Sequence, residues 1–346
     1  MKRREFIAGS LAGGLAFAVG SRVRAQADAG GASEAEKLAR LSVMTYCFDS
    51  IVKGIGKPDD PARTLDILDA PQMIADHYGI HHVEMQHTHF QATDKPYFQE
   101  MKDRLKKAGS QLTQICLEFD FVDLSSKQKY QQLEMIALSK DWIDYCVQLG
   151  CPRVLLNQGP LTPDAVEDAK WTLKQIAEYG RAQKVACDME NRGGGRRPAN
   201  RATGPAGAPA GTAATAAPAG APATGAASTA PAAAGGNGAN PPQERGGWEV
   251  LVEVIKAAGP GAYANPDIGN FPDEESRAAG LRVMYTMTSG NSHAHYAPDR
   301  YDEAKAIGIS KEAGYKGLYS IETGRNNGPD PYQNVQMVRD ALLKLI

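Results

Sequence analysis

"PRVLLNQGPLTPDAVEDAKWTLKQIAEYGRAQKVACDMEN", residues 152–191, decides the fold. It opens on a short apolar run, 152–157, which reads as a strand. Thr162 and Pro163 have the chemistry of a helix start, and helical spacing runs from there to Gly180. A second apolar run, 184–190, follows and ends on an acid, Glu190. Strand, helix and strand within forty residues imply two parallel strands joined by a right-handed crossover.

The same alternation extends both ways. Strands are expected at 41–47, 81–86, 111–119, 152–157, 184–190, 261–267, 282–295 and 317–323. Helical stretches lie between them. "PQMIADHYG" (71–79) stops at Gly79, and "DKPYFQEMKDRLKKAG" (94–109) spaces Phe98, Met101 and Leu105 on one face. In "KYQQLEMIALSKDWIDYCVQLG" (129–150) the expected core face is Leu133, Ile136, Ile143 and Val147. Later helices are expected at 248–259, 273–280, 299–314 and 330–346. Trp142 and Trp171 fall on apolar helical faces and are expected in the core. Eight such units predict an α/β fold, a (β/α)8 TIM barrel, whose usual size is ~250 residues plus insertions. An open doubly wound sheet is the alternative; the count of eight and the single closing helix favour the barrel.

Two segments stand outside this pattern. Between Arg201 and Glu244 no residue is charged or aromatic, and Ala, Gly, Pro and Thr dominate. Such a stretch buries too little apolar surface to offset its ordering entropy. Residues 196–245 are therefore expected to be a disordered insertion after the fifth strand, inside one barrel spanning 41–346. At the other end, 1–27 has a basic start with Arg3-Arg4, a Gly/Ala-rich apolar stretch and a small-x-small ending at Ala25-Gln26-Ala27. That is the form of a signal peptide of the twin-arginine type, and it predicts a periplasmic protein. The apolar stretch falls short of the ~20 residues of a membrane span. Residues 28–40 are expected to be a flexible linker.

The formal charge is −2, and loss of 1–27 removes five basic residues against one acid, leaving about −6. An acidic chain argues against nucleic acid as the main partner. No membrane partner is expected after signal removal; a homo-oligomer is compatible with the sequence. The five cysteines, Cys47, Cys116, Cys146, Cys151 and Cys187, form no CxxC pair and specify no disulfide.

In such barrels the working groups sit at the C-terminal ends of strands. The fifth strand ends in Glu190, the sixth in Asp267, the seventh in His293 and His295, and the eighth in Glu322. Three carboxylates converging on one mouth repel one another unless a cation joins them. Three oxygens and one nitrogen make a hard, mostly anionic donor set. It suits Mn²⁺ first, with Mg²⁺, Co²⁺ and Zn²⁺ as alternatives. His293 and His295 share a strand face, so either can be the nitrogen donor.

At these residues the chain resembles the xylose isomerase-like TIM-barrel superfamily of sugar isomerases and epimerases. "MENRGG" (189–194), "NPDIGN" (265–270), "SHAHY" (292–296) and "AGYKGLYSIE" (313–322) carry the resemblance, which spans about 41–346 without the insertion. It implies metal ligands Glu190, Asp267, His293 and Glu322, with His293 chosen by register. It implies a small sugar substrate and proton transfer through a metal-stabilised enediolate, with Glu190 and Glu322 as acid and base. The chain departs from the tagatose-type pattern at three places. Asn270 stands where a His is usual, Arg300 is out of register with the substrate arginine, and His293-Ala294-His295 replaces His-x-Lys. These leave the substrate open. A metal-dependent lyase on keto-glycosides and a non-catalytic sugar-binding barrel are the alternative functions.

Asn270, Arg300 and His295 are the first substrate-side candidates. His87 and His89, after the second strand, and Asn157, after the fourth, are expected on the same rim. Asp188 shares the face of Glu190 one step deeper. Arg192 and Arg325 follow the two glutamates and could meet an anionic group.

Overall fold

The computed structural model describes residues 32–54, 60–192, 247–324 and 328–346. The expected signal peptide (1–27), residues 28–31 of the expected linker, the 196–245 insertion and Arg325 lie outside the described residues. The chain divides into two units, Met1–Ser33 and Glu34–Ile346, and the second is the barrel.

Eight strands carry it: β1 Leu41–Met44, β2 His82–Gln86, β3 Gln111–Leu117, β4 Arg153–Leu156, β5 Ala186–Glu190, β6 Ala262–Asn265, β7 Asn291–Ala294 and β8 Leu318–Ile321. All paired strands are parallel, in the order β6-β5-β4-β3-β2-β1-β8-β7. β6 and β7 close the ring through two bridges, Ala264–Thr288 and Asp267–His293. Pro266 explains why no longer ladder forms there. It has no N–H to give, and only accepts, from the His293 N–H at 2.9 Å. The fold is a TIM barrel.

Helices surround the strands: α1 Glu34–Leu38, α2 Ala70–Tyr78, α3 Lys95–Lys107, α4 Lys129–Leu149, α5 Val166–Gln183, α6 Trp248–Ala258, α7 Glu274–Met284, α8 Glu303–Glu312 and α9 Pro331–Leu345. Period-two alternation sorts each strand between two environments. On β5, Cys187 and Met189 are fully buried, and the Cys187 sulfur lies beneath Gly180 of α5. On β2, Val83 and Met85 join the same outer core. Burying one such aliphatic side chain contributes about 1.5–3 kcal/mol. The alternate positions, Glu84 on β2 and Asp188 and Glu190 on β5, point into the barrel, where the chemistry collects.

Several expected elements move. The seventh strand was expected over 282–295, but 282–284 end α7 and the strand begins only at Asn291. Arg277, Gly280, Leu281 and Met284 are the buried stripe of that helix. Gly280, expected as its stop, instead lets it approach Phe271 and Trp248; a Cβ there would lie 2.5 Å from Phe271 Cε1. Gly180 behaves alike: α5 runs past it to Gln183, and a Cβ would lie 2.6 Å from Cys187 Sγ. α5 also starts later than its Thr162-Pro163 signal, at Val166. Thr162 spends its hydroxyl on Asp164 instead.

On α4 the core face is rotated. Met135, Ile136, Trp142, Ile143 and Cys146 are buried, whereas Leu133 and Val147 are exposed. Trp171 is not in the core either; it lies at the surface with the Lys129 ammonium over its ring. The expected linker contains α1, whose Lys37 Nζ donates to the Leu343 carbonyl at 2.6 Å. All five cysteines are buried free thiols. Among the described residues, no helix is long and apolar enough to cross a membrane.

Candidate metal centre

Glu190 closes β5, Asp267 stands two residues past β6, His293 lies in β7 and Glu322 directly follows β8. One ligand atom from each lies within 4.8 Å of the others. His293 Nδ1 is 3.0 Å from Glu190 Oε1 and 2.9 Å from Glu322 Oε2. Glu190, Asp267 and His293 are buried, and the Glu322 side chain is 20 % accessible. Glu322 Oε2 is itself closed to solvent and receives no aligned hydrogen bond. A buried anionic oxygen beside two more carboxylates and an imidazole nitrogen fits a divalent cation.

Glu190 and Asp267 are held from behind. The Gln158 amide donates to the Glu190 carbonyl at 2.6 Å. Asn191 ties the β5 and β6 ends together: Asp267 N–H donates to its Oδ1 at 2.7 Å, and its Nδ2 donates to the Asp267 carbonyl at 3.0 Å. Asp267 Oδ1 accepts from the Gly269 and Asn270 N–H groups at 2.6 and 3.1 Å. Its Oδ2 meets Asn270 Nδ2 at 2.7 Å and His295 Nε2 at 2.8 Å. Such fixed, fully bonded carboxylates lose little freedom when a ligand arrives.

The electrostatics follow from burial and neighbours. Burial opposes ionisation of Glu190, but the Arg192 guanidinium and His293 hold it well below the usual carboxylate range. Burial likewise disfavours the His293 cation, yet Glu84, Glu190 and Glu322 lift it well above its ordinary value. His295 is lifted to about 9 by Asp267 against the cost of burial. Asp188, one step deeper, is pushed up to about 7 by burial and accepts from Ser289 Oγ at 2.6 Å.

The remaining candidates separate clearly. His295, 23 % accessible, borders the cluster. Asn270 is there too, but its amide bonds Asp267 and Glu190, so it orients carboxylates. His89, expected on the substrate side, is instead buried in the wall. Its Nδ1 meets Thr45 Oγ1 at 3.0 Å and its Nε2 lies 3.5 Å from Asp49. His87 accepts from the Glu118 N–H at 3.0 Å and packs edge-on to Phe119 and Trp142. Asn157 accepts from the Gly159 N–H and closes its own loop. Arg300 is exposed on the turn after β7.

Three groups at the site have roles that the strand-end pattern does not reveal. Arg192 bridges Glu190, at 2.8 Å, and Glu118. Asn191 clamps two strands, as above. Glu84, fully buried on β2, lies 2.9 Å from His293 Nε2. An acid between Val83 and Met85, in a strand buried on both faces, was its visible signal.

Residues 73–199 match the family model of the xylose isomerase-like TIM barrel. The matched stretch includes Glu84 and Glu190. No curated protein sequence matches the chain. Among solved structures, an L-ribulose 3-epimerase is similar at 13 % identity and TM-score 0.60, covering 89 % of this chain and 94 % of its own. A D-allulose 3-epimerase from Methylomonas sp. has 10 % identity and TM-score 0.58, covering 89 % and 98 %. A xylose isomerase domain protein from Planctomyces limnophilus has 16 % identity and TM-score 0.56, covering 89 % and 96 %. At these identities the likeness is one of fold.

Proposed function

We propose that this barrel is a divalent-metal-dependent isomerase or epimerase of a small sugar. The convergence of Glu190, Asp267, His293 and Glu322 within 4.8 Å at the C-terminal pole of the barrel carries the reading. The xylose isomerase-like match and the epimerase neighbours support it. These four residues would hold the cation, with Mn²⁺ the first choice for so anionic an oxygen-rich set. When bound, it supplies Lewis-acid polarisation of a substrate carbonyl.

The chain's own residues supply the proton movements. Glu190 and Glu322 both approach His293 Nδ1, at 3.0 and 2.9 Å. One takes a proton from the carbon beside the carbonyl, and the other returns one at that carbon or its neighbour. Arg192 keeps Glu190 in its ionised, proton-accepting form. His295, held by Asp267 and partly accessible, offers an N–H to a substrate hydroxyl. The N-terminal segment, 1–27, supports export and a periplasmic site of action.

The test is elemental analysis of the purified protein, then solvent proton–deuterium exchange against a panel of keto sugars in D₂O. Stoichiometric metal and exchange at one carbon are expected. Protein grown with Mn²⁺ and Zn²⁺ that carries neither would overturn the reading. Wild-type exchange rates in both Glu190→Gln and Glu322→Gln would overturn the assigned roles.

A further inference from the structure

His293 has two ring nitrogens, and the barrel gives them different partners. Nδ1 faces Glu190 and Glu322, within the cluster. Nε2 faces away, 2.9 Å from Glu84 Oε1. Glu84 is fully buried and out of reach of any substrate. A lone carboxylate in such a place is strongly unfavourable unless it is paired and bonded on every side. Here it is: Gln114 Nε2 donates to Oε1 at 3.1 Å and Asn291 Nδ2 donates to Oε2 at 3.1 Å. Asn291 also donates to Asn265 Oδ1 at 3.0 Å. One layer beneath the cluster thus links β2, β3, β6 and β7 around a single carboxylate.

We infer that Glu84 is the positioning residue of the metal centre: by accepting the Nε2 proton of His293 it fixes that ring so that Nδ1 is the ligating nitrogen. A histidine that keeps one N–H must present its other nitrogen as the lone pair. Glu84 claims the N–H on the deep side, so once a cation displaces the Nδ1 proton the lone pair faces the carboxylates. A carboxylate behind a ligating imidazole also makes it a better donor, and loss of such a partner typically costs 10–100-fold in metal affinity. The inference rests on the metal-dependent reading above. Its own content is the role of Glu84 and the choice of nitrogen. If Glu84 were only a buried counter-charge for the fold, its loss would lower stability and leave metal binding alone.

The experiment titrates wild type, Glu84→Gln and Glu84→Leu with Mn²⁺, by calorimetry and by the paramagnetic resonance of the ion. Thermal unfolding of the metal-free proteins is followed in parallel. Gln keeps an acceptor of the same shape and guards against a leucine variant that fails to fold. Affinity about tenfold weaker in Glu84→Gln, and nearer a hundredfold weaker in Glu84→Leu, is expected. Wild type grown with histidine labelled with ¹⁵N at Nδ1 should show ¹⁵N, not ¹⁴N, bound to Mn²⁺. Glu84→Leu should show both. Equal affinity in wild type and a folded Glu84→Gln, or ¹⁴N on the metal in labelled wild type, overturns the role of Glu84 while sparing the metal reading. A wild type that takes up no Mn²⁺ overturns both.

Discussion

Arg192 donates through Nε to Glu190 Oε2 at 2.8 Å, from a position only two residues along the chain. Its other arm reaches Glu118, at the end of β3. One cation therefore steadies two acids at the ends of β3 and β5, across the intervening β4, and leaves Glu190 Oε1 to the cluster. Arg192→Ala removes that cation and leaves Glu118 and Glu190 facing each other. Because the Arg192 side chain is 29 % accessible, the loss in stability should be discounted to about 1–3 kcal/mol. Solvent exchange into a keto sugar should fall more steeply, about a hundredfold, because Glu190 loses its fixed geometry. Denaturant unfolding and exchange rates on the same preparation check both. Arg192→Lys should recover part of the stability and less of the rate, since an ammonium cannot span both partners in one plane.

Metal uptake should release a proton. In the metal-free protein Glu84, Glu190 and Glu322 keep His293 protonated well above its usual range, despite the cost of burial. Ligation needs the Nδ1 lone pair, so a cation must displace that proton. A raised pKa means the proton is held as pH rises and competes most strongly at low pH. Apparent Mn²⁺ affinity should therefore climb with pH, approaching tenfold per unit while one proton is displaced. Calorimetry at pH 7 in buffers of different ionisation heat should report at least one proton released, from His293, with a further fraction from Asp267, whose carboxyl burial pushes up to about 7. No release between pH 6 and 8 would contradict the assigned state of His293.

His87 supplies a pH effect separate from the metal. Burial lowers its pKa to about 4 against the opposing charges of Glu118 and Asp120. The folded chain holds it neutral, with Nδ1 accepting the Glu118 N–H. The unfolded chain protonates it below ~6.5. Its stabilising contribution is complete above that value and is lost as pH falls from ~6.5 to about 4. Wild type should lose on the order of 2 kcal/mol over that window from this residue alone. His87→Gln, which can still accept from Glu118, should lack that part of the slope. Urea unfolding of both proteins at pH 7.5 and 4.5 measures the difference.

The barrel was legible because each helix and strand repeats its own period, and because strand ends are where this architecture puts polar groups. Glu190, Asp267, His293 and Glu322 stood at four consecutive ends and meet in space. What stayed hidden depends on three-dimensional neighbours. Gly180 and Gly280 look like helix stops, but they are narrow places where α5 and α7 touch Cys187, Phe271 and Trp248. "RVMYTM" has β-rich local chemistry, yet its first three residues finish a helix whose buried stripe begins at Arg277. Period two turns Glu84 into the barrel, but neither it nor composition names the partner of Glu84 or places His89. His89 became a wall residue and Glu84 lies beneath the cluster because of partners far away in sequence, Thr45 and Asp49 for the one and His293 for the other.

Gly269 offers a test of His295 that leaves the ligands themselves untouched. A Cβ at Gly269 would lie 2.8 Å from His295 Cδ2 and 3.3 Å from Asp267 Oδ1. The carboxylate is locked by the Gly269 and Asn270 N–H groups, so the ring is what must yield. At 23 % accessible, the ring has room to swing outward. Gly269→Ala should therefore cost only about 1 kcal/mol of stability. It should break the 2.8 Å contact between His295 and Asp267. If His295 positions a substrate hydroxyl, a shift of this size should lower exchange by tenfold or more. Mn²⁺ affinity should change far less, because Glu190, His293 and Glu322 keep their places. His295→Ala should give the same exchange rate as Gly269→Ala, and the double variant should be no worse than either. Full additivity of the two losses would mean that the glycine acts through Asp267 instead.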